Sequence, residues 1–388
     1  MLSKPLTVVQ MLPGLESGGV ERGTLEVGKY LVSQGCRSLV ISAGGRMTSQ
    51  LVREGSTHFR WRAGEKTPRC LASFFPLRRL LTEQKVDILH LRSRMPAWLG
   101  YMVWKSLPQA QRPGLVTTFH GFHSVNQYSA IMARGEKVIA VSRAIADHIK
   151  TRYGIPDERI ELIYRGFDET QFNPETVAPQ RIERLARQWM LDDDSPPVIM
   201  LPGRFTRLKG HKLFLESLAR IKHIPWIALC IGDPNENPSL IANLKKKAAS
   251  VNLFNQNHQL SRIRFPGHCD DMPAALMLAD VVMSTSIKPE ACSRIILEAQ
   301  AMGKPVIASA HGGSPETISD HKTGRLFPPG NATELAEALK QPLSDPQLRE
   351  QWGRNGREWV QKRFTISRLC RKTLAVYNEL AKLRTPHS

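Results

Sequence analysis

The sequence predicts an α/β protein made of two doubly wound, parallel-sheet domains. Three observations carry this expectation. Short apolar runs alternate with stretches of helical period almost throughout the chain, the pattern of parallel strands covered by helices. The 388 residues exceed what a single hydrophobic core usually organises. The alternation also stops once, between Asp168 and Asp194, and then resumes.

Taken in order, the first series of strands is expected at Leu6 to Leu12, Ser38 to Ser42, Val86 to Leu91, Leu115 to Phe119, Val138 to Val141 and Ile160 to Tyr164. Between the first two, Val20, Leu25, Gly28, Leu31 and Val32 recur at helical spacing. The interruption carries Asn173-Pro174, Ala178-Pro179 and Ser195-Pro196-Pro197 and reads as a linker. The second series places strands at Val198 to Leu201, Trp226 to Ile231, Ile263 to Phe265, Val281 to Ser284 and Val306 to Ser309. Helical sequence follows, from Asn331 to Lys340 and from Asp345 to about Lys382. The expected division is residues 1–170, a linker at 171–195, 196–365, and a closing helix at 366–388. Two such sheets are expected to face an interdomain cleft, where ligands of this architecture bind.

The net charge of +19 divides almost evenly, +10 before Thr170 and +9 after it. No basic tail accounts for it. A solvated surface explains such an excess, as does an anionic membrane, a phosphorylated acceptor or nucleic acid. Six cysteines show no C-x-x-C pair, which fits reduced thiols in the cytosol. The sequence carries no signal-like leader and no apolar run long enough for a span. The expectation is a cytoplasmic protein that meets a membrane only peripherally, on the cytoplasmic face of the inner membrane.

The most informative segment runs from Pro289 to Ile307 and holds Glu290 and Glu298. It reads as a polar turn, a helix and a strand, with Glu290 before the helix and Glu298 one turn into it. The amides of Ser293 and Arg294 lie at the helix N-terminus, where free N–H groups attract anions. Carboxylates accept from hydroxyls and amides donate to phosphate. A nucleotide sugar offers both.

Three further loops follow strands. Pro13 to Gly23, with Gly18 and Gly19, opens the first helix, where glycines admit a close ligand or simply a tight turn. Arg204 and Lys209 flank a loop after the first strand of the second series and can converge on a diphosphate. His120, with His123 nearby, stands at the end of a first-series strand and can contact a sugar hydroxyl. His268, in Gly267 to Asp271, is placed beside the nucleotide base, with Asp270 or Asp271 as an alternative helix cap. Asp192-Asp193-Asp194 holds a D-x-D pattern but reads as a solvated turn. Arg60, Arg62, Lys66, Arg69, Arg78 and Arg79 surround the apolar stretch Leu71 to Leu77 beside Trp61. That cluster suits either an anionic bilayer or an amphipathic helix interrupted by Pro76.

Taken together, these residues resemble a family 4 glycosyltransferase of the GT-B fold. The likeness is carried by the E-x7-E segment with Ala299 to Ser309, the glycine turn, Arg204 through Lys209, Gly312-Gly313, and Arg165-Gly166-Phe167-Asp168 through Pro174. Members acting on lipopolysaccharide core or other surface glycans are similar. The resemblance implies retaining transfer from a nucleotide sugar to a lipid-linked or phosphorylated glycan, with no metal or other cofactor. It gives Glu290 the donor-sugar hydroxyls and Glu298 the ribose. Arg204 and Lys209 take the leaving diphosphate, Gly18 and Gly19 approach it, and His120 lies beside the transferred sugar. It also implies that the last helix crosses back to the first domain. One departure stands out: Ala291-Cys292-Ser293 replaces the family's Gly/Pro-Phe-Gly, which narrows the backbone there and adds a hydroxyl. A nucleotide-sugar epimerase of the same shape is the alternative. A basic nucleic-acid-binding protein is a remote one, because no aromatic-interleaved stripe accompanies the charge.

Overall fold

The computed structural model describes residues 5–16, 18–62, 64, 72–254 and 261–384. They form two compact units, Met1–Arg165 with Ile366–Ser388, and Gly166–Thr365.

The first unit is built on seven strands: β1 (Thr7–Met11), β2 (Arg37–Ser42), β3 (Thr57–Arg60), β4 (Ile88–Leu91), β5 (Gly114–Phe119), β6 (Lys137–Ala140) and β7 (Ile160–Leu162). They pair in the order β3-β2-β1-β4-β5-β6-β7, and every pairing is parallel. Central strands such as β1 and β4 are buried along their whole length, as expected of a sheet covered on both faces. The order reverses between β1 and β4, and their carboxyl ends lead to Leu12 and Arg92. The C-terminal helix, Ile366–Lys382, belongs to this unit. It packs Cys370, Val376, Tyr377 and Leu380 against Leu6, Val8, Ile88 and Val116.

The second unit is built on six strands: β8 (Val198–Pro202), β9 (Ile227–Ile231), β10 (Ile263–Gly267), β11 (Val281–Ser284), β12 (Val306–Ser309) and β13 (Gly324–Phe327). Their order is β10-β9-β8-β11-β12-β13, again parallel throughout. Here the order reverses between β8 and β11. The core gathers Ile199, Phe214, Trp226, Met283 and Leu339.

Every strand expected from sequence is present, and two more appear. β3 and β13 are edge strands with half-buried patterns, so neither forms a continuous apolar run. The helical stretch expected from Asp345 to about Lys382 is two helices, Pro346–Arg363 and Ile366–Lys382. The break falls where Phe364 accepts from the Phe167 amide at 2.9 Å and Thr365 bridges to Phe167.

The expected linker also differs. Within it lies the helix Pro179–Gln188, because Pro179 sits at the first helical position, where a missing N–H is harmless. Arg181 grips Asp271 in a bidentate pair at 2.9 and 2.5 Å. That hydrogen bond is the main cause holding the Asp271 carboxyl below its usual range. Likewise Pro76 does not interrupt a helix but lies in the first turn of Phe74–Glu83. Lys66 and Arg69 of the basic cluster, and Cys70, lie outside the described residues. The five described cysteines form no disulfide. No helix of the described residues is long and apolar enough to cross a membrane.

Candidate active site

In the second unit, the carboxyl ends of β8, β11 and β12 carry one constellation. This is the switch point of the sheet, where open α/β sheets bind ligands. The loop after β8 ends in a single turn, Arg207–Lys209, tied down where Thr285 Oγ1 donates to the Lys209 carbonyl at 2.9 Å. The Lys209 ammonium reaches both oxygens of Glu290, at 2.8 and 2.9 Å. Ser286 Oγ also donates to Glu290 Oε1. Burial by itself raises the Glu290 carboxyl. The charge and hydrogen bond of Lys209, with Ser286 and His311, outweigh it and hold the group below its usual range. Glu290 is therefore a carboxylate throughout the neutral range.

The loop after β12 closes this turn from behind. His311 Nε2 lies 2.8 Å from the Ser286 carbonyl, and the Gly313 amide donates to the Glu290 carbonyl at 2.9 Å. Gly312 has φ +59, and a Cβ there would meet the Glu290 carbonyl oxygen at 2.1 Å. Only glycine allows that approach. Sequence reasoning had named Gly312-Gly313 but missed Ser286 and His311; a histidine beside a glycine pair at a strand end is the signal that could have found the latter.

Downstream, Ala291, Cys292 and Ser293 are buried. Ser293 adopts φ −81 and ψ 115, an extended conformation open to any residue, so this turn has no need of the family's glycine. The helix Arg294–Ala301 begins after it. Glu298 is buried in that helix, with its Oε1 3.5 Å from Arg294 Nε. The two glutamates are thus held by two different cations, Glu290 by Lys209 and Glu298 by Arg294. Arg204 stands exposed on the β8 loop. His268 is exposed too, with Nε2 3.0 Å from Asp270. Asp271 is the residue that caps the next helix, accepting from the Ala274 amide at 3.2 Å. Asp192 accepts from Ser195 Oγ at 2.8 Å in an exposed turn, as the solvated reading of that acidic run expects.

The first unit places the remaining residues at its own switch point. Gly18, at φ +140, precedes the helix Gly19–Ser33, and His120 directly follows β5. Arg165 Nη2 lies 3.5 Å from His120 Nδ1 and 3.4 Å from the His120 carbonyl. Burial first, then the Arg92 and Arg165 guanidiniums, keep the His120 imidazole well below its usual pKa and hence neutral. Beneath it, His90 is fully buried between Tyr377 OH and Thr118 Oγ1, each at 2.6 Å, and burial holds it neutral as well.

Among the described residues five histidines share this behaviour, since burial also lowers His58 and brings His123 and His211 to about 4. A histidine whose pKa is lowered by folding takes its proton first in the unfolded chain. Its contribution is therefore complete above about 6.5 and is lost as the pH falls below that value. The melting temperature should stay nearly level down to about pH 6.5 and then fall towards pH 5, the slope approaching about 1.4 kcal/mol per pH unit for each histidine. Carboxylates hardly titrate in that window, so a flat profile would show that these imidazoles accept protons in the folded state.

Comparison with known proteins agrees with this arrangement. The family model for "Glycosyl transferases group 1" matches residues 183–359, and that for "Glycosyltransferase Family 4" matches residues 17–171. The crystal structure of a glycosyltransferase from Rickettsia africae superposes with TM-score 0.89 at 33% identity, covering 97% of this chain and 99% of that one. The Anabaena HepE structure in complex with UDP-glucose superposes with TM-score 0.80 at 22% identity, over 96% of this chain and 100% of that one. The N-acetyl-alpha-D-glucosaminyl L-malate synthase of Bacillus anthracis is 24% identical, over 95% of this chain and 96% of its own length. With the strand-end glutamate and lysine in place on a pair of parallel-sheet units, the chain belongs to family 4 of the glycosyltransferases and has the GT-B fold.

Proposed function

We propose that this glycosyltransferase performs retaining, metal-independent transfer from a nucleotide sugar onto a lipid-linked glycan, of lipopolysaccharide core or another surface glycan. The observation that carries the reading is the Lys209–Glu290 pair at the switch point of the second unit. Glu290, kept ionised, accepts hydrogen bonds from hydroxyls of the donor sugar. Lys209 already points its charge at that position. With the exposed Arg204, it stabilises the diphosphate as the bond to the anomeric carbon breaks, in the manner of preorganised charge at a leaving group. The acceptor oxygen then bonds to the same face of that carbon, and its proton passes to a departing phosphate oxygen. Glu298, in the helix behind the turn, holds the ribose, with the Ser293 and Arg294 amides at the phosphates and His268 beside the base. In the first unit, His120 is a neutral imidazole suited to a sugar hydroxyl, next to the turn of Gly18 and Gly19.

The acceptor and its setting rest on charge. The +19 excess is spread over the chain, which suits a phosphorylated or lipid-linked acceptor at an anionic surface on the cytoplasmic face of the inner membrane. Phe75 adds an exposed aromatic ring beside Arg78 and Arg79. Nucleic acid is not among the proposed partners. The test is a panel of UDP-, GDP- and ADP-linked sugars, first for thermal stabilisation and then for transfer to extracted lipid-linked glycans. One donor class should stabilise the protein, and its sugar should appear on the acceptor with the anomeric configuration retained. Conversion of the donor to its epimer without any acceptor would overturn the proposal in favour of isomerisation.

A further inference from the structure

One group of charges in the first unit has no part in the chemistry assigned above. Arg165, three residues past β7, lays its guanidinium over the start of the first helix. A Cβ built on Gly19 would lie 1.9 Å from Arg165 Nη1. The glycine is needed here to admit an arginine. Arg92, the first residue past β4, is buried and donates to Gln10 Oε1 at 2.8 Å. A Cβ on Gly23 would lie 3.0 Å from Arg92 Nη2. Two guanidiniums therefore flank successive turns of one helix, at the end whose amides already carry partial positive charge. They are near enough to repel each other, and Glu26 is the carboxylate that acts on Arg92. Glu21 lies at the opposite edge, its Oε2 2.7 Å from where a Gly18 Cβ would be. Arg165 also lies against the His120 ring and carbonyl.

We infer that Arg165, seated on Gly19 beside His120, is the anchor of an oxyanion subsite within the first unit, taking a phosphate-type group of one of the two substrates. A guanidinium offers a planar fork that matches such a group with two parallel hydrogen bonds. The location favours this use, since the switch point of a parallel sheet is where its strand ends leave room for a ligand. The inference rests on the glycosyltransferase reading only for the word substrate; the anion site itself is testable without turnover.

The experiment uses the full-length protein carrying Arg204→Ala and Lys209→Ala, which removes both side-chain phosphate contacts proposed for the second unit. Inorganic phosphate is titrated and read by phosphorus NMR line broadening and by thermal stabilisation. Adding Arg165→Gln should weaken phosphate binding at least tenfold. Gly19→Ala should do the same, because its methyl group displaces the guanidinium while leaving the charge in the protein. Repeating the titration with UDP and GDP identifies the source. Parallel weakening of a nucleoside diphosphate assigns the subsite to the donor. Weakened phosphate with unchanged nucleoside diphosphates assigns it to an anionic group of the acceptor. Phosphate affinity unchanged by either variant, in protein that melts at the parent temperature without ligand, would overturn the inference. A wild-type protein that binds phosphate through Arg165 yet transfers no sugar would instead count against the functional reading.

Discussion

Replacing Lys209 or Glu290 by alanine is expected to lower turnover by about 10²–10³, the scale of a preorganised electrostatic group. The two losses should not add. The ammonium touches both carboxylate oxygens, so each variant disables the partner as well as itself. Lys209→Ala leaves Glu290 with the burial that raises its pKa and without the charge that lowers it. The carboxyl then titrates at higher pH, and the acid limb of the rate profile should move upward. The double variant should lose little more than either single one. These outcomes are read from kcat and its pH profile at saturating donor. Near-normal transfer by both single variants would remove the pair from the reaction.

The second large effect concerns stability. Deleting residues 366–388 takes Tyr377, Leu380, Val376 and Cys370 out of the first unit's core. Each large apolar side chain of this kind contributes about 1.5–3 kcal/mol through burial, so the loss rivals the typical 5–15 kcal/mol that holds a native domain together. The truncated chain should keep the folded second unit and lose the first, which calorimetry would register as one missing transition. Tyr377→Phe is the milder probe. It removes the hydroxyl from His90 Nδ1 and leaves a buried ring nitrogen unpaired, at a cost of about 1–3 kcal/mol. A truncated chain that melts like the full one would mean that this helix adds nothing to the first unit's core.

Comparing these outcomes with the sequence shows what a linear reading can reach. Strands buried on both faces, such as β1 and β8, announce themselves as apolar runs. Edge strands β3 and β13 do not, because one side meets solvent and the run is broken. The prolines around position 179 looked like a linker, since composition does not say whether a proline starts a helix or prevents one. At the site, Lys209 and Glu290 were each legible from their loops, but not as one ion pair. They stand 81 positions apart, and only the β8–β11 adjacency brings them together. Ser286 carries no motif of its own, and its role, like that of His311, comes from the contact of two loops. Arg165 was visible as part of a motif, yet its seat on Gly19 depends on a contact between the beginning and the end of the first segment.

The first unit consists of two stretches of chain separated by the whole of Gly166–Thr365. During synthesis its sheet emerges first but lacks the helix that covers Leu6, Ile88 and Val116 until residues 366–382 have been made. At about 5–20 residues per second, making the intervening stretch takes roughly 10–40 s. For that interval an apolar sheet face is exposed on the ribosome while the second unit folds independently. This nascent chain therefore depends on whatever shields it in the meantime, and termination before Ile366 yields an aggregation-prone product rather than a slightly shortened enzyme.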